Sequence, residues 1–258
     1  MKIGLTTYSF GNKDFREQLS SMLKNGIKPD FIILHYGGKY KFLKGFNFLK
    51  KTLNQQRFKS ISFLLSYKKS RPTHISGYKL NEEEAKVVDR FISSATIINT
   101  KGINSASAIT TISELGDVII ACNSGKLNSE VLNLPNAIFL NVHASKLPAY
   151  RGMNNVEWAL WENCDIYATV HRISKMIDEG DILLQEKIDT AKSELKIISD
   201  YREYSFYKGN ELMGKAIQGY LKKEIHFTKQ EPTSNPLSQY YIMHPILKEY
   251  LQKKLSGR

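Results

Sequence analysis

Cysteine is nearly missing from this 258-residue sequence: Cys122 and Cys164 are its two thiols, far from each other and from any histidine cluster. That excludes a disulfide framework and gives no ligand spacing for a zinc site, so both are expected to be plain buried or half-buried thiols. Long apolar runs are also missing. No stretch approaches the roughly 18 uninterrupted apolar residues of a membrane span, and the opening MKIGLTTYSF has no continuous apolar segment, so the expected location is the cytoplasm. Glycine-rich fingerprints are absent too. No Gly-x-Gly-x-x-Gly follows a strand-like run and no Walker-type Gly-Lys-Ser/Thr loop occurs, which removes the usual marks of dinucleotide redox and P-loop chemistry. His-Glu-x-x-His and Gly-x-Ser-x-Gly are equally missing, against metalloprotease and serine hydrolase chemistry.

Acidic residues are absent over one long stretch. From Phe31 to Leu80 there are eleven Lys or Arg and no Asp or Glu, within a chain of net charge +12 and pI near 9.5. Such a field attracts phosphates, whether of a nucleotide, RNA or an anionic membrane, and a solvated basic face produces the same composition. Tyr40, Phe42, Phe46 and Phe48 lie among these bases and suit stacking on RNA. The spacing of Phe42, Phe46 and Leu49 equally fits one buried face of an amphipathic helix, which could also lie on a membrane surface.

What is present suits a folded globular protein. Hydrophobic residues make up 41% of the chain, enough for one ordinary domain and a smaller appendage. Lys2 to Tyr8 and Asp30 to Tyr36 read as strands around a helix over Phe15, Leu19, Met22 and Leu23, with Asp14 as its N-cap. Ser60 to Leu65, Ala95 to Asn99, Asp117 to Cys122 and Ala137 to His143 are further strand-like runs. Helical patterns cover Asn81 to Ile92 and Ser105 to Leu115. The alternation predicts an α/β fold, a Rossmann-like doubly wound and mostly parallel sheet, whose ligands sit at the carboxyl ends of the strands. A helix at Asn154 to Trp161 and strands at Tyr167 to Ile173 and Ile182 to Ile188 follow. Near Thr190 the composition shifts to lysine, tyrosine and glutamate, with helices expected at Tyr204 to Lys223 and Pro245 to Leu255 and a loop at Gln230 to Gln239. Residues 1–189 are therefore expected to form a catalytic domain and 190–258 a small, mainly helical extension.

The unusual stretch is FLNVHASKLPAYRG, Phe139 to Gly152. Side chains alternate along a strand, so Asn141 and His143 share one face at its carboxyl end, where an amide and an imidazole can hold a developing oxyanion. A polar finish to an ordinary strand reads the same way. Asp178 sits in the loop SKMIDEGD between two strands, where a carboxylate can orient His143, or can simply accept turn hydrogen bonds. Asp181 lies close by.

These two stretches resemble the folate-dependent formyltransferase family. NVHASKLPAYRG is similar to its Asn-x-His-x-Ser-x-Leu-Pro-x-Tyr-Arg-Gly stretch, and TVHRISKMIDEGDILLQ, Thr169 to Gln185, to its second signature with Asp-x-Gly-Asp. The resemblance implies Asn141, His143 and Asp178 as the catalytic trio and 10-formyltetrahydrofolate as the donor, with no metal. It places the pterin against backbone groups of Gly125, Lys126 and Leu127 and of Met176, Ile177 and Asp178. Here NSGKLNS is shorter and more polar than the family's usual segment.

Among the family's acceptors, methionyl-tRNA formyltransferases add a β-rich carboxyl-terminal domain, whereas the pattern after Ile188 is helical. Glycinamide ribonucleotide formyltransferases carry a glycine-rich phosphate loop after the first strand, where this chain has TTYSFGNKDF. The expected acceptor is therefore the amine of a nucleotide-linked amino sugar, with tRNA as the alternative. The basic segment would meet the diphosphate, and Tyr8, Phe10, Tyr150, Arg151 and Trp158 would line the acceptor site. Arg151 could equally brace a loop. A binder of RNA or membrane surface without catalysis is the competing class, and no pattern specifies an oligomeric state.

Overall fold

The computed structural model describes residues 1–35, 79–191, 195–231 and 239–256. The strand expected at Ser60 to Leu65, the aromatics from Tyr40 to Phe48 and most of the basic segment lie outside the described residues. Among the described residues, seven strands form one sheet: β1 Lys2–Thr7, β2 Phe31–His35, β3 Ile97–Thr100, β4 Val118–Ala121, β5 Ala137–His143, β7 Tyr167–Arg172 and β8 Ile182–Lys187. Their order is β3-β2-β1-β4-β5-β7-β8. The first five are parallel, and β7 and β8 run antiparallel beside β5. This is the expected α/β class, a Rossmann-like sheet with a helical carboxyl-terminal region.

Helices cover both faces, which is why the strands read as unbroken apolar runs. They are α1 Lys13–Lys24, α2 Glu82–Ser94, α3 Ala106–Glu114, α4 Ser129–Leu132, α5 Asn155–Trp161, α6 Ile198–Leu221 and α7 Pro245–Ser256. On one face Leu5, Ile119, Leu140 and Val142 pack with Phe15, Leu19 and Met22 of α1 and Leu212, Met213 and Ile217 of α6. On the other, Ile33, Ile120 and Phe139 pack with Ile112 of α3 and Val131 of α4. β5 thus sends Leu140 and Val142 to one core and Phe139 to the other, leaving Asn141 and His143 on the Phe139 side as the strand ends.

Two helix starts differ from expectation for a visible reason. The N-cap of α1 is Asn12, whose side-chain oxygen accepts from the Phe15 amide at 2.8 Å, rather than Asp14. Asp14 sits in the first helical turn, where its charge still complements the dipole. α6 begins six residues before Tyr204, because the Asp200 carboxylate accepts the amides of Lys196 and Ile197 at 2.9 and 3.0 Å and caps an earlier start. The tail also contains a short strand, β9 Gln239–Tyr240, paired in parallel with β6 Arg151–Gly152.

Candidate active site

The carboxyl end of β5 and the turn before β8 meet across β7. His143 is buried, and its Nδ1 lies 3.5 Å from Oδ2 of Asp178. Its Nε2 is 2.7 Å from the Tyr150 carbonyl oxygen, which can only accept, so Nε2 carries a hydrogen and Nδ1 is the nitrogen left to work. The Asn155 amide nitrogen is 2.9 Å from that same Nε2, while Asn155 Oδ1 is buried with no partner. The same Asn155 Nδ2 donates to the Gly152 carbonyl at 3.1 Å, which holds the amide in this orientation.

Asn141 lies opposite His171 in the β5/β7 ladder, with its Nδ2 3.3 Å from His171 Nε2. The tautomer follows from His171's other nitrogen. Nδ1 donates to the Arg172 carbonyl at 2.9 Å, so Nε2 of the neutral ring is an acceptor and orients the NH₂ of Asn141 toward itself. His171 stays neutral because burial, then the charge of nearby His143, push its pKa down to about 4, against a smaller opposing pull from Asp178.

Asp178 completes the group from an unusual backbone. Its φ is 55°, the left-handed region, which for a residue other than glycine is held by its surroundings. Oδ2 accepts the Gly152 amide at 2.8 Å, and Oδ1 stands 3.7 Å from His171 Nε2. Gly180, two residues on, permits the turn. A Cβ there would lie 1.8 Å from the Arg172 carbonyl oxygen, an impossible overlap. An amide, two imidazoles and a carboxylate therefore converge at one strand end, an arrangement able to hold negative charge on an oxygen and to move a proton.

A family model described as "Formyl transferase" matches residues 41–199. The chain belongs to the formyl transferase family. It is 31% identical over 126 residues to the methionyl-tRNA formyltransferase of Lachnospira eligens, covering 46% of this chain and 38% of that one. The chain thus spans well under half the length of this curated relative. In fold it is similar to a sugar N-formyltransferase from Shewanella, with TM-score 0.51 and 14% identity over 94% of this chain and 77% of that one. It is also similar to the N-formyltransferase of Helicobacter canadensis in complex with folinic acid and dTDP-3-aminofucose, at TM-score 0.51 and 18% identity over 93% of this chain and 70% of that one.

Several residues of the two sequence signatures act as supports around this group. Thr169 Oγ1 donates to the Ser145 carbonyl at 2.7 Å, and Gln185 Nε2 donates to Leu147's carbonyl and to Thr169 Oγ1, which fixes the loop after His143. The Tyr150 ring is buried, stacks on Tyr240 at 5.1 Å and donates its hydroxyl to Glu162 at 2.6 Å. What it turns toward the trio is its backbone carbonyl. Burial and then the surrounding polar groups push the Tyr150 phenol far up, and burial with Glu162 pushes Tyr240 up to about 12. Arg151 braces: Nη2 donates to Gln230 Oε1 at 3.0 Å and Nη1 pairs with Glu179 at 3.2 Å. Trp158 donates to the Tyr241 carbonyl at 2.9 Å. Phe10 packs near Phe15, ring centroids 6.2 Å apart, and Tyr8 is half exposed beside His35.

Of the residues expected to face the pterin, Met176 and Ile177 are more than half exposed next to Asp178. Gly125 and Lys126 are exposed, whereas the Leu127 side chain is buried in the second core. Asn155 and Gln230 carry no mark in the sequence that singles them out as site residues. His171 could have been found from its place two residues after Thr169 in the second signature, since i and i+2 share a strand face.

Proposed function

We propose that this chain transfers a formyl group from 10-formyltetrahydrofolate to a primary amine, with residues 1–189 carrying the chemistry in the cytoplasm. The observation that carries this reading is the convergence of Asn141, His143 and Asp178, with Asp178 Oδ2 3.5 Å from His143 Nδ1. The donor supplies an activated formyl carbon. A free N–H of Asn141 and the Nδ1 hydrogen of a protonated His143 stabilise negative charge on the formyl oxygen as the amine attacks. The Asp178 carboxylate supports that charge on His143 and takes up the proton the amine loses; as the tetrahedral intermediate collapses, the bond from the formyl carbon to the donor nitrogen breaks and that nitrogen receives the proton, releasing tetrahydrofolate and the formylated amine. Backbone groups of Gly125, Lys126 and Leu127, and of Met176, Ile177 and Asp178, hold the pterin. The exposed apolar surface of Met176 and Ile177 suits a flat heterocycle, and a Cβ at Gly125 would meet nothing within 4 Å, so its backbone is open to approach. No step requires a metal.

The acceptor we favour is an amino sugar linked to a nucleotide. The loop between β1 and α1 contains one glycine, Gly11, and so lacks the backbone cradle a small phosphate ester such as glycinamide ribonucleotide would need. Tyr8 and Phe10 on that loop, with Arg151 and Trp158, flank the sugar. Charged initiator tRNA is the second acceptor, supported by the 31% identity to a methionyl-tRNA formyltransferase. The test is incubation with 10-formyltetrahydrofolate and a panel of nucleotide-linked amino sugars, charged initiator tRNA and glycinamide ribonucleotide, following formyl transfer by mass. Formylation of tRNA with no turnover of any amino sugar would reject the sugar acceptor, and turnover of none would reject the enzymatic reading.

A further inference from the structure

We propose that Gln230, in the carboxyl-terminal extension, is a positioning residue that holds the Asp178 carboxylate in its working place, an inference that rests on the role of Asp178 given above. The chain leaves α6 and pairs with the edge of β8, Ile182 and Thr228 exchanging two backbone hydrogen bonds of 2.8 Å, which delivers Gln230 to the turn before β8. There both hydrogens of its amide are used: Nε2 donates to the carbonyls of Asp178 at 2.8 Å and Gly180 at 2.7 Å. Its Oε1 accepts from Arg151, at 3.3 Å from Nε and 3.0 Å from Nη2. One carboxamide therefore fixes three points. Two are carbonyls flanking the left-handed turn that carries the carboxylate. The third is the residue preceding Gly152, whose amide donates to that carboxylate. Both ends of the Asp178–Gly152 hydrogen bond are tied to the same half-buried side chain, and through the bond so is the 3.5 Å approach to His143.

Methionine in place of glutamine keeps the length and removes the hydrogen bonds, freeing a turn whose left-handed residue is otherwise disfavoured. The test uses the whole chain in a double-mutant cycle of Gln230→Met with Asp178→Asn. It reads kcat for formyl transfer, or for uncoupled hydrolysis of 10-formyltetrahydrofolate to formate and tetrahydrofolate, together with folinic acid affinity and melting temperature. Gln230→Met alone is expected to lower kcat by about 10- to 100-fold. On the Asp178→Asn background the same change should cost less than about twofold, because residues acting as a unit are not additive. Unchanged kcat in Gln230→Met, or an equal loss on both backgrounds, overturns the proposal. If the methionine variant does not fold, Gln230→Glu, which sets oxygen lone pairs against both carbonyls, is carried through the same cycle with the same expected outcomes. Full turnover in Asp178→Asn would overturn the role of Asp178, and this route with it. A normal Gln230→Met beside a crippled Asp178→Asn would sink the Gln230 role alone.

Discussion

At the scale of single residues, the proposed mechanism has His143 and Asp178 act as charge builds on the formyl oxygen. His143→Ala and Asp178→Asn are each expected to lower kcat by about 100-fold or more while leaving folinic acid affinity within a few-fold, since both act on charge that exists only in the transition state. Steady-state kinetics with a donor titration check this, and near-normal turnover in either variant removes that residue from the mechanism. His171 makes a different, conformational contribution. Its folded pKa of about 4 lies below the 6.5 of an unperturbed histidine, so between those values the unfolded chain binds the extra proton and the folded one does not. Stability should fall as the pH drops from 6.5 toward 4, by on the order of 3 kcal/mol, and His171→Gln should flatten that part of a denaturant-against-pH profile. Glu17 has the opposite sign. Buried between α1 and α6, with no hydrogen bond to Oε1 and Lys13 Nζ 3.9 Å from it, its carboxyl is pushed up to about 7 by burial, against the relief of the Asn210 hydrogen bond and the charge of Lys13. The folded state then keeps a proton that the unfolded chain releases above 4.5, so stability is lost as the pH rises from there through 7. Glu17→Gln should be more stable than the parent at pH 8, by about 1–3 kcal/mol, and equal to it near pH 4. Equal stability at pH 8 would mean that the buried carboxylate is satisfied.

Among the elements, the pairing of β6 with β9 ties the tail to the signature loop. Gly152 has φ +96°, and a Cβ there would stand 2.2 Å from the Tyr240 carbonyl oxygen. Gly152→Ala is expected to cost about 1–3 kcal/mol and to break the stacking of Tyr240 on Tyr150, seen as a loss of near-ultraviolet circular dichroism. An alanine variant with unchanged stability and spectrum would show that this close approach is not maintained in solution. The Tyr-Arg-Gly part of the signature was legible as a motif. Its physical reason was not, because the partner strand comes from residues 239–240, and the segment expected there was a loop. Strand pairing over about 90 residues of separation leaves no local pattern, and two-residue strands have no periodicity to read.

For the molecule as a whole, α6 and α7 are built into the same core as the sheet, since Met213, Ile217, Leu251 and Leu255 pack in one cluster with Leu5, Leu19 and Leu140. Met213→Ala in α6 and Leu5→Ala in β1 are each expected to cost about 2–5 kcal/mol and to shift one shared unfolding transition. Separate transitions, read by far-ultraviolet circular dichroism against tryptophan fluorescence, would contradict a common core and favour two independently folding parts. The sequence by itself determined the sheet and its covering helices, because strands buried on both faces must be continuously apolar and amphipathic helices must repeat near 3.6 residues. It also marked Asn141, His143 and Asp178, through strand alternation and two signatures of fixed spacing. Tertiary structure alone decided which nitrogen of His143 is free to work, which tautomer His171 takes and which side chain holds Asp178 in a left-handed turn. Those depend on the Tyr150, Arg172, Asp178 and Gly180 carbonyls. A backbone carbonyl is the same group in every residue, so the sequence carries no trace of where it will point.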